Sequence, residues 1–272
     1  MTGGGEITPP RLVIFTDLDG TLLHPRTYSF EEALPALGLI RERSIPLVFV
    51  SSKTQAELQV WRQRLENRHP FISENGGGIF VPDDYFPFPV EGELRDRLRV
   101  ISLGMTYGEV RRRFAALRDR TGIAVRGFGD MGIEEVAALT GLTVEEARLA
   151  KQRDFEEPFL FPGRPDDRFL REIEGEKLRW TQGKFFHLMG DHHKGRAVNI
   201  LRGLYERGKG PVTTIGIGDS LNDLPFLLAV DRPVLVRKGS NRHDARLDIP
   251  GLVRADGFGP AGWNEAVLEL LK

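Results

Sequence analysis

Asp17 and Asp19 stand two residues apart in Asp17-Leu18-Asp19-Gly20-Thr21, immediately after the apolar run Leu12 to Phe15. The run reads as a buried strand and the carboxylates as the start of its loop. In open α/β sheets that carboxyl edge is where ligands gather. Two carboxylates aimed into one cleft repel and raise a pKa unless a cation joins them. Oxygen-only ligation in a chain without Cys suits Mg²⁺, which binds through one or two carboxylates plus phosphate. Taken alone, the same residues also describe a solvated turn.

A second acidic loop, Gly218-Asp219-Ser220-Leu221-Asn222-Asp223, closes another strand pattern (Val-Thr-Thr-Ile-Gly-Ile) before another helix. It offers the further carboxylates a metal requires, although Asp219 and Ser220 are also good helix caps. Ser51 and Ser52 end the run Pro-Leu-Val-Phe-Val before a helix, where hydroxyls and free N–H groups form a phosphate cradle or a simple cap. Lys194 opens the helix after Asp191-His192-His193. A cation there opposes the helix dipole, and a neighbouring anion would account for it. His192 and His193 diverge as chain neighbours and read as loop residues rather than a metal pair.

Strand and helix patterns alternate around these loops. A helix is expected over 30–43, a strand over 46–50, a helix over 54–67, then a strand and glycine turn in His-Pro-Phe-Ile-Ser-Glu-Asn-Gly-Gly-Gly. Near-continuous apolar strands imply a parallel sheet covered on both faces. From about 85 to 190 the rhythm changes. Strands are expected over 98–103, 123–127, 159–161 and 184–189, and helices over 107–120, 133–140, 143–153 and 166–174, an α+β module inserted into the first domain. The first rhythm resumes with a helix over 193–207, a strand over 212–217, a helix through 229, a strand over 234–236 and a last helix from 263.

Composition narrows the function classes. The chain has 272 residues, 40% hydrophobic and 28% charged, with a formal net charge of −1. That balance excludes disorder and leaves no basic excess for a nucleic-acid backbone, so a small-molecule partner is expected. The start Met-Thr-Gly-Gly-Gly-Glu lacks the regions of a signal peptide, and no apolar run reaches membrane-spanning length. A cytoplasmic enzyme fits these features. The Arg-rich cations, 17 Pro and no Cys fit a heat-adapted source, and genome base composition explains the Arg equally well.

The ordered set of Asp-Leu-Asp-Gly-Thr, Ser51 after strand two, Lys194 and Gly-Asp-Ser-Leu-Asn-Asp resembles the haloacid dehalogenase (HAD) superfamily of phosphatases. The insertion is similar to the α/β cap typed C2 in that superfamily. The implied fold class is α/β: a Rossmann-like parallel-sheet HAD core (1–84 and 191–272) with an inserted α+β C2-type cap (85–190). The implied nucleophile is Asp17, forming a phosphoaspartyl intermediate, with Asp19 as acid and base. Ser51 or Ser52, Lys194 and Asn222 would hold phosphoryl oxygens. Asp17, the Asp19 carbonyl and Asp219 would bind Mg²⁺, with Asn222 and Asp223 in support. Many relatives carry Thr-Gly-Arg at the second motif; Ser51-Ser52-Lys53-Thr54 stands here instead, so either Ser is open.

Within the superfamily, the runs 126–131, 134–142 and 150–159 look like the mannosyl-3-phosphoglycerate phosphatase family, and Ser73-Glu74-Asn75-Gly76-Gly77 fits it too. The resemblance implies hydrolysis of mannosyl-3-phosphoglycerate to mannosylglycerate, a compatible solute. Arg126, Lys151, Gln152 and Arg153 would be the cap's ligands for the anionic sugar-glycerate substrate. Related substrates are glucosyl-3-phosphoglycerate, sucrose phosphate and hexose phosphates, and a phosphomutase shares the same core. A module without chemistry would carry a damaged motif, whereas Asp17, Asp19, Lys194 and Asp219 are intact.

Overall fold

The structure, a computed structural model, describes residues 11–239 and 242–272. The start read above for signal features lies outside the described residues. Strands β1 (Arg11–Thr16), β2 (Leu47–Val50) and β3 (Phe71–Ser73) alternate with helices α1 (Leu34–Glu42) and α2 (Gln55–Arg64). Strands β4 (Gly78–Pro82), β5 (Glu93–Arg95) and β6 (Leu98–Ser102) follow. Next come α3 (Tyr107–Thr121), β7 (Arg126–Gly127), α4 (Ile133–Thr140), α5 (Val144–Ala150), β8 (Glu156–Leu160), α6 (Asp167–Gly175), β9 (Arg179–Gln182) and β10 (Phe186–Met189). The chain ends with α7 (Lys194–Lys209), β11 (Val212–Gly218), α8 (Leu224–Leu227), β12 (Arg232–Arg237), β13 (Val253–Phe258) and α9 (Gly259–Leu270).

Nine strands form one sheet in the order β13-β12-β11-β1-β2-β3-β4-β6-β5. The run from β13 to β3 is parallel and the last three strands are antiparallel. β1 lies between β11 and β2, so Asp17, Asp219 and Ser51 leave the same edge on adjacent strands. Both faces are covered. Leu37, Ile40, Leu58, Trp61 and Trp263 pack on one, and Val198, Leu201, Tyr205 and Phe226 on the other. That two-sided burial explains why β2 is apolar throughout.

A separate antiparallel sheet, β7-β8-β10-β9, carries α3 and α6 on one face through Phe114, Phe159, Phe169 and Phe186. Strand alternation sends Pro158 and His187, paired across β8 and β10, to the opposite face. That face meets the edge of the large sheet.

The strand at 98–103, expected in the inserted module, instead pairs with β4 in the large sheet as β6, with β5 beside it. An apolar strand pattern does not say which sheet the strand joins; pairing with β4 decides it. The strand over 123–127 shortens to β7, and the helix over 143–153 ends at Ala150, where Lys151 caps it. β5 and β9 carry exposed or half-buried side chains, β13 buries Ala255 alone, and their weak alternation hid them.

Candidate active site

Asp17 follows β1 and is fixed from both sides. Its N–H donates to Ile217 of β11, and its carbonyl accepts from the Thr16 hydroxyl at 2.8 Å. The Trp263 indole donates to that hydroxyl at 3.0 Å, so a core helix braces the loop. Gly20 turns the loop at φ +84, and a Cβ there would stand 2.9 Å from Asp219 Oδ2. Only glycine lets the two acidic loops approach this closely.

The carboxylates of Asp17, Asp219 and Asp223, all buried, converge to within 4.8 Å. Lys194 Nζ, itself buried, donates to Asp17 Oδ1 at 2.7 Å and Asp223 Oδ1 at 2.6 Å. Asp223 Oδ2 accepts from the N–H groups of Asp219 and Ser220, which shapes the second loop. One ammonium does not balance three carboxylates. Burial pushes Asp17 well up, with Lys194 opposing, and burial then Asp223 push Asp219 up to about 7. Asp17 and Asp223 hold Lys194 above its ordinary value against burial. Excess negative charge among hard oxygen donors fits a divalent cation.

Asp19 points elsewhere. Its Oδ2 pairs with Lys53 Nζ at 3.0 Å, and Oδ1 is buried with no hydrogen-bond partner among the described residues. Its carboxylate therefore stays outside the trio, and Asp223 completes it. Lys53 also faces Glu57 at 3.6 Å. Glu57 and Thr54 cap α2 reciprocally, so the helix that starts behind Ser51 and Ser52 is rigidly placed. Ser52 lines the cavity described next, whereas the Ser51 hydroxyl lies beneath it and accepts from Lys53 N at 3.2 Å.

A cavity of about 390 Å³ lies between the sheets. Asp17, Asp19, Ser52, Lys53, Asp219 and Asn222 form its floor; Phe128, Arg153, Pro158, Lys184, Phe185 and His187 form its roof. Arg153 is the one residue of the expected roof quartet on this cavity. Arg126 is instead exposed in a fork with Glu135, Gln152 faces solvent, and Lys151 Nζ is used by the carbonyls of Phe128 and Met131. An exposed fork is satisfied at the surface, and an ammonium already capping two carbonyls braces the Phe128 loop rather than facing a ligand.

Glu74 and Glu156 carry more of the site than their sequence suggested. Glu74, fully buried, accepts from the N–H groups of Asp154, Phe155 and Glu156, tying the loop after β3 to the start of β8. Its signal was Glu-Asn-Gly-Gly at a strand end, where Glu74 and Asn75 take left-handed backbone. Two adjacent acids in the strand Glu-Glu-Pro-Phe-Leu were the signal for Glu156. His193 caps α7, and His192 is buried with neither ring nitrogen bonded among the described residues, so the two histidines do diverge.

Comparison with known proteins agrees with this geometry. Residues 14–86 match the haloacid dehalogenase-like hydrolase family. A glucosyl-3-phosphoglycerate/mannosyl-3-phosphoglycerate phosphatase of Methanococcoides burtonii is 43% identical over 95% of this chain and 97% of its own. One of the same description from Persephonella marina is 41% identical over 96% and 97%. A HAD-superfamily phosphatase structure from Bacteroides thetaiotaomicron superposes with a TM-score of 0.68 at 16% identity, covering 98% of both chains. The chain belongs to the glucosyl-3-phosphoglycerate/mannosyl-3-phosphoglycerate phosphatase family of haloacid dehalogenase-like hydrolases.

Proposed function

We propose that this protein hydrolyses the phosphate monoester of glycosyl-3-phosphoglycerates, with mannose or glucose as the sugar, using Mg²⁺. One observation carries the reading: Asp17, bound by Lys194 through Oδ1 only, sits on the floor of a cavity whose roof belongs to the second sheet. Residues 11–102 and 191–272 serve as the catalytic core, and 103–190 as the cap. The pairing of β5 and β6 in the large sheet supports a division after β6 in place of one after residue 84.

Asp17 Oδ2 attacks phosphorus, forming the phosphoaspartyl acyl phosphate as the bond to the sugar-glycerate oxygen breaks. Asp19, on the cavity floor, delivers a proton to that leaving oxygen and later takes one from the attacking water. Ser52, Asn222 and Lys194 hold phosphoryl oxygens. Asp17, Asp219 and Asp223 would hold Mg²⁺, whose charge would offset the repulsion between a phosphate dianion and the attacking carboxylate. The roof excludes water and takes the sugar and glycerate. Among the described residues no helix is long and apolar enough to cross a membrane.

A phosphate-release panel tests this. Mannosyl- and glucosyl-3-phosphoglycerate should exceed sucrose 6-phosphate and hexose phosphates in kcat/KM by at least roughly tenfold. Equal rates across the panel would replace the reading with a general sugar-phosphate phosphatase.

A further inference from the structure

Glu156 is fully buried at the start of β8, a rare place for a carboxylate. Oε1 accepts from Arg153 Nη1 at 3.0 Å and lies 2.9 Å from His187 Nδ1. Oε2 accepts from Asn75 Nδ2 at 2.8 Å, a contact from the large sheet. Burial alone would raise this carboxyl, but His187, Arg153 and Asn75 outweigh it and hold it down to about 2. Glu156 is therefore a permanent anion that touches two residues of the cavity roof and one residue of the core.

Arg153 is placed as tightly as Glu156. Nε donates to Ala150 O at 3.0 Å, and Nη1 also donates to Ser52 O at 2.8 Å. Nη2 makes no protein hydrogen bond among the described residues, and Arg153 lines the cavity that holds Asp17. The guanidinium thus rests against the loop that cradles phosphate, with donor capacity left for a ligand. In a 3-phosphoglycerate the carboxylate carbon is only four bonds from phosphorus. A carboxylate on the substrate therefore falls beside the phosphate loop, where the guanidinium stands.

We propose that Glu156 is a positioning residue that orients Arg153 as the receptor for a carboxylate adjacent to the scissile phosphate. His187 and Asn75 hold Glu156 in register, so the receptor is complete only when roof and floor are docked. This rests on the glycosyl-3-phosphoglycerate reading and adds the residue that makes the glycerate recognisable.

The test compares inhibition of p-nitrophenyl phosphate hydrolysis by 3-phosphoglycerate and by glycerol 3-phosphate, which lacks the carboxylate, in the Mg²⁺-loaded enzyme. Wild type should bind 3-phosphoglycerate on the order of tenfold to a hundredfold more tightly. Glu156→Gln should reduce that ratio to within about threefold, because a neutral amide replaces the charge-assisted acceptor that orients Arg153. Non-specific charge predicts the opposite sign: removing an anion would make 3-phosphoglycerate bind more tightly. A purely structural role would weaken both inhibitors together and keep the ratio. Either result, or a wild-type ratio near one, overturns the proposal. If Glu156→Gln does not fold, Arg153→Lys, which keeps the charge and loses the fork, is read by the same ratio. Failure of the underlying reading shows separately, as no phosphate release from glycosyl-3-phosphoglycerates with the inhibition ratio intact.

Discussion

Lys194 Nζ lies 2.7 Å from Asp17 Oδ1, and the contact occupies one oxygen of the carboxylate while leaving the other toward the cavity. The same ammonium reaches Asp223 at 2.6 Å, so one buried cation orders both acidic loops. Losing it would leave buried carboxylates unpaired, which costs about 3–5 kcal/mol in comparable sites.

Asp17→Asn should lose roughly a thousandfold or more in kcat while staying folded, because the amide keeps the shape and can still accept from Lys194 but cannot attack phosphorus. Phosphate release and a thermal melt measure the two halves. A rate within tenfold of wild type would remove Asp17 as nucleophile.

Metal dependence should be complete and should shift with pH. Chelation should abolish turnover, and added Mg²⁺ should restore it and raise Tm. The folded Asp219 value, about 7, stands above its ordinary 3.8. A raised carboxyl contributes stability below about 3.8 that is lost as pH rises through about 7, so the metal-free protein should weaken over that window. Mg²⁺ requires the ionised form, so its half-saturating concentration should rise as pH falls below about 7. Titrations of activity and Tm at several pH values check both slopes.

Arg126→Ala and Arg153→Ala should separate cleanly. Arg126 forms an exposed pair away from the cavity, and its loss should change kcat/KM by less than about twofold. Arg153, almost fully buried on the cavity, should cost at least roughly tenfold toward glycosyl-3-phosphoglycerates. Equal losses in steady-state kinetics would refute the placement of the roof ligands.

Gly76→Ala should damage the site from behind. Gly76 stands at φ +98, and a Cβ there would lie 2.5 Å from the His193 carbonyl, just before Lys194. Strained backbone of this kind costs about 1–3 kcal/mol, and the clash adds to it. A lowered Tm together with reduced kcat is expected. Wild-type values for both would show that the loop and α7 are not in contact.

The loops that meet at the cavity floor were legible because they live in short local signals. Asp17 and Asp19 after an apolar strand, Ser51 and Ser52 before a helix, and Lys194 at a helix start each name a loop at a sheet edge. The parallel sheet was legible for the same reason, since strands buried on both faces are rich in apolar residues, as β2 is throughout. β13, half exposed, offered no such pattern.

The sequence by itself determined which side chains gather at the carboxyl edge of the sheet, because residue type and loop position suffice for that. Tertiary structure alone decided which of the expected cations reaches the cavity. Arg126, Lys151 and Arg153 are similar in sequence, yet a surface partner occupies the first, two carbonyls occupy the second, and only the third reaches the cavity. Glu156 selects Arg153 through contacts from Asn75 and His187, 81 residues before it and 31 after. The physical reason is that a charged side chain goes to the nearest group able to satisfy it, and such neighbours are set by packing between distant segments.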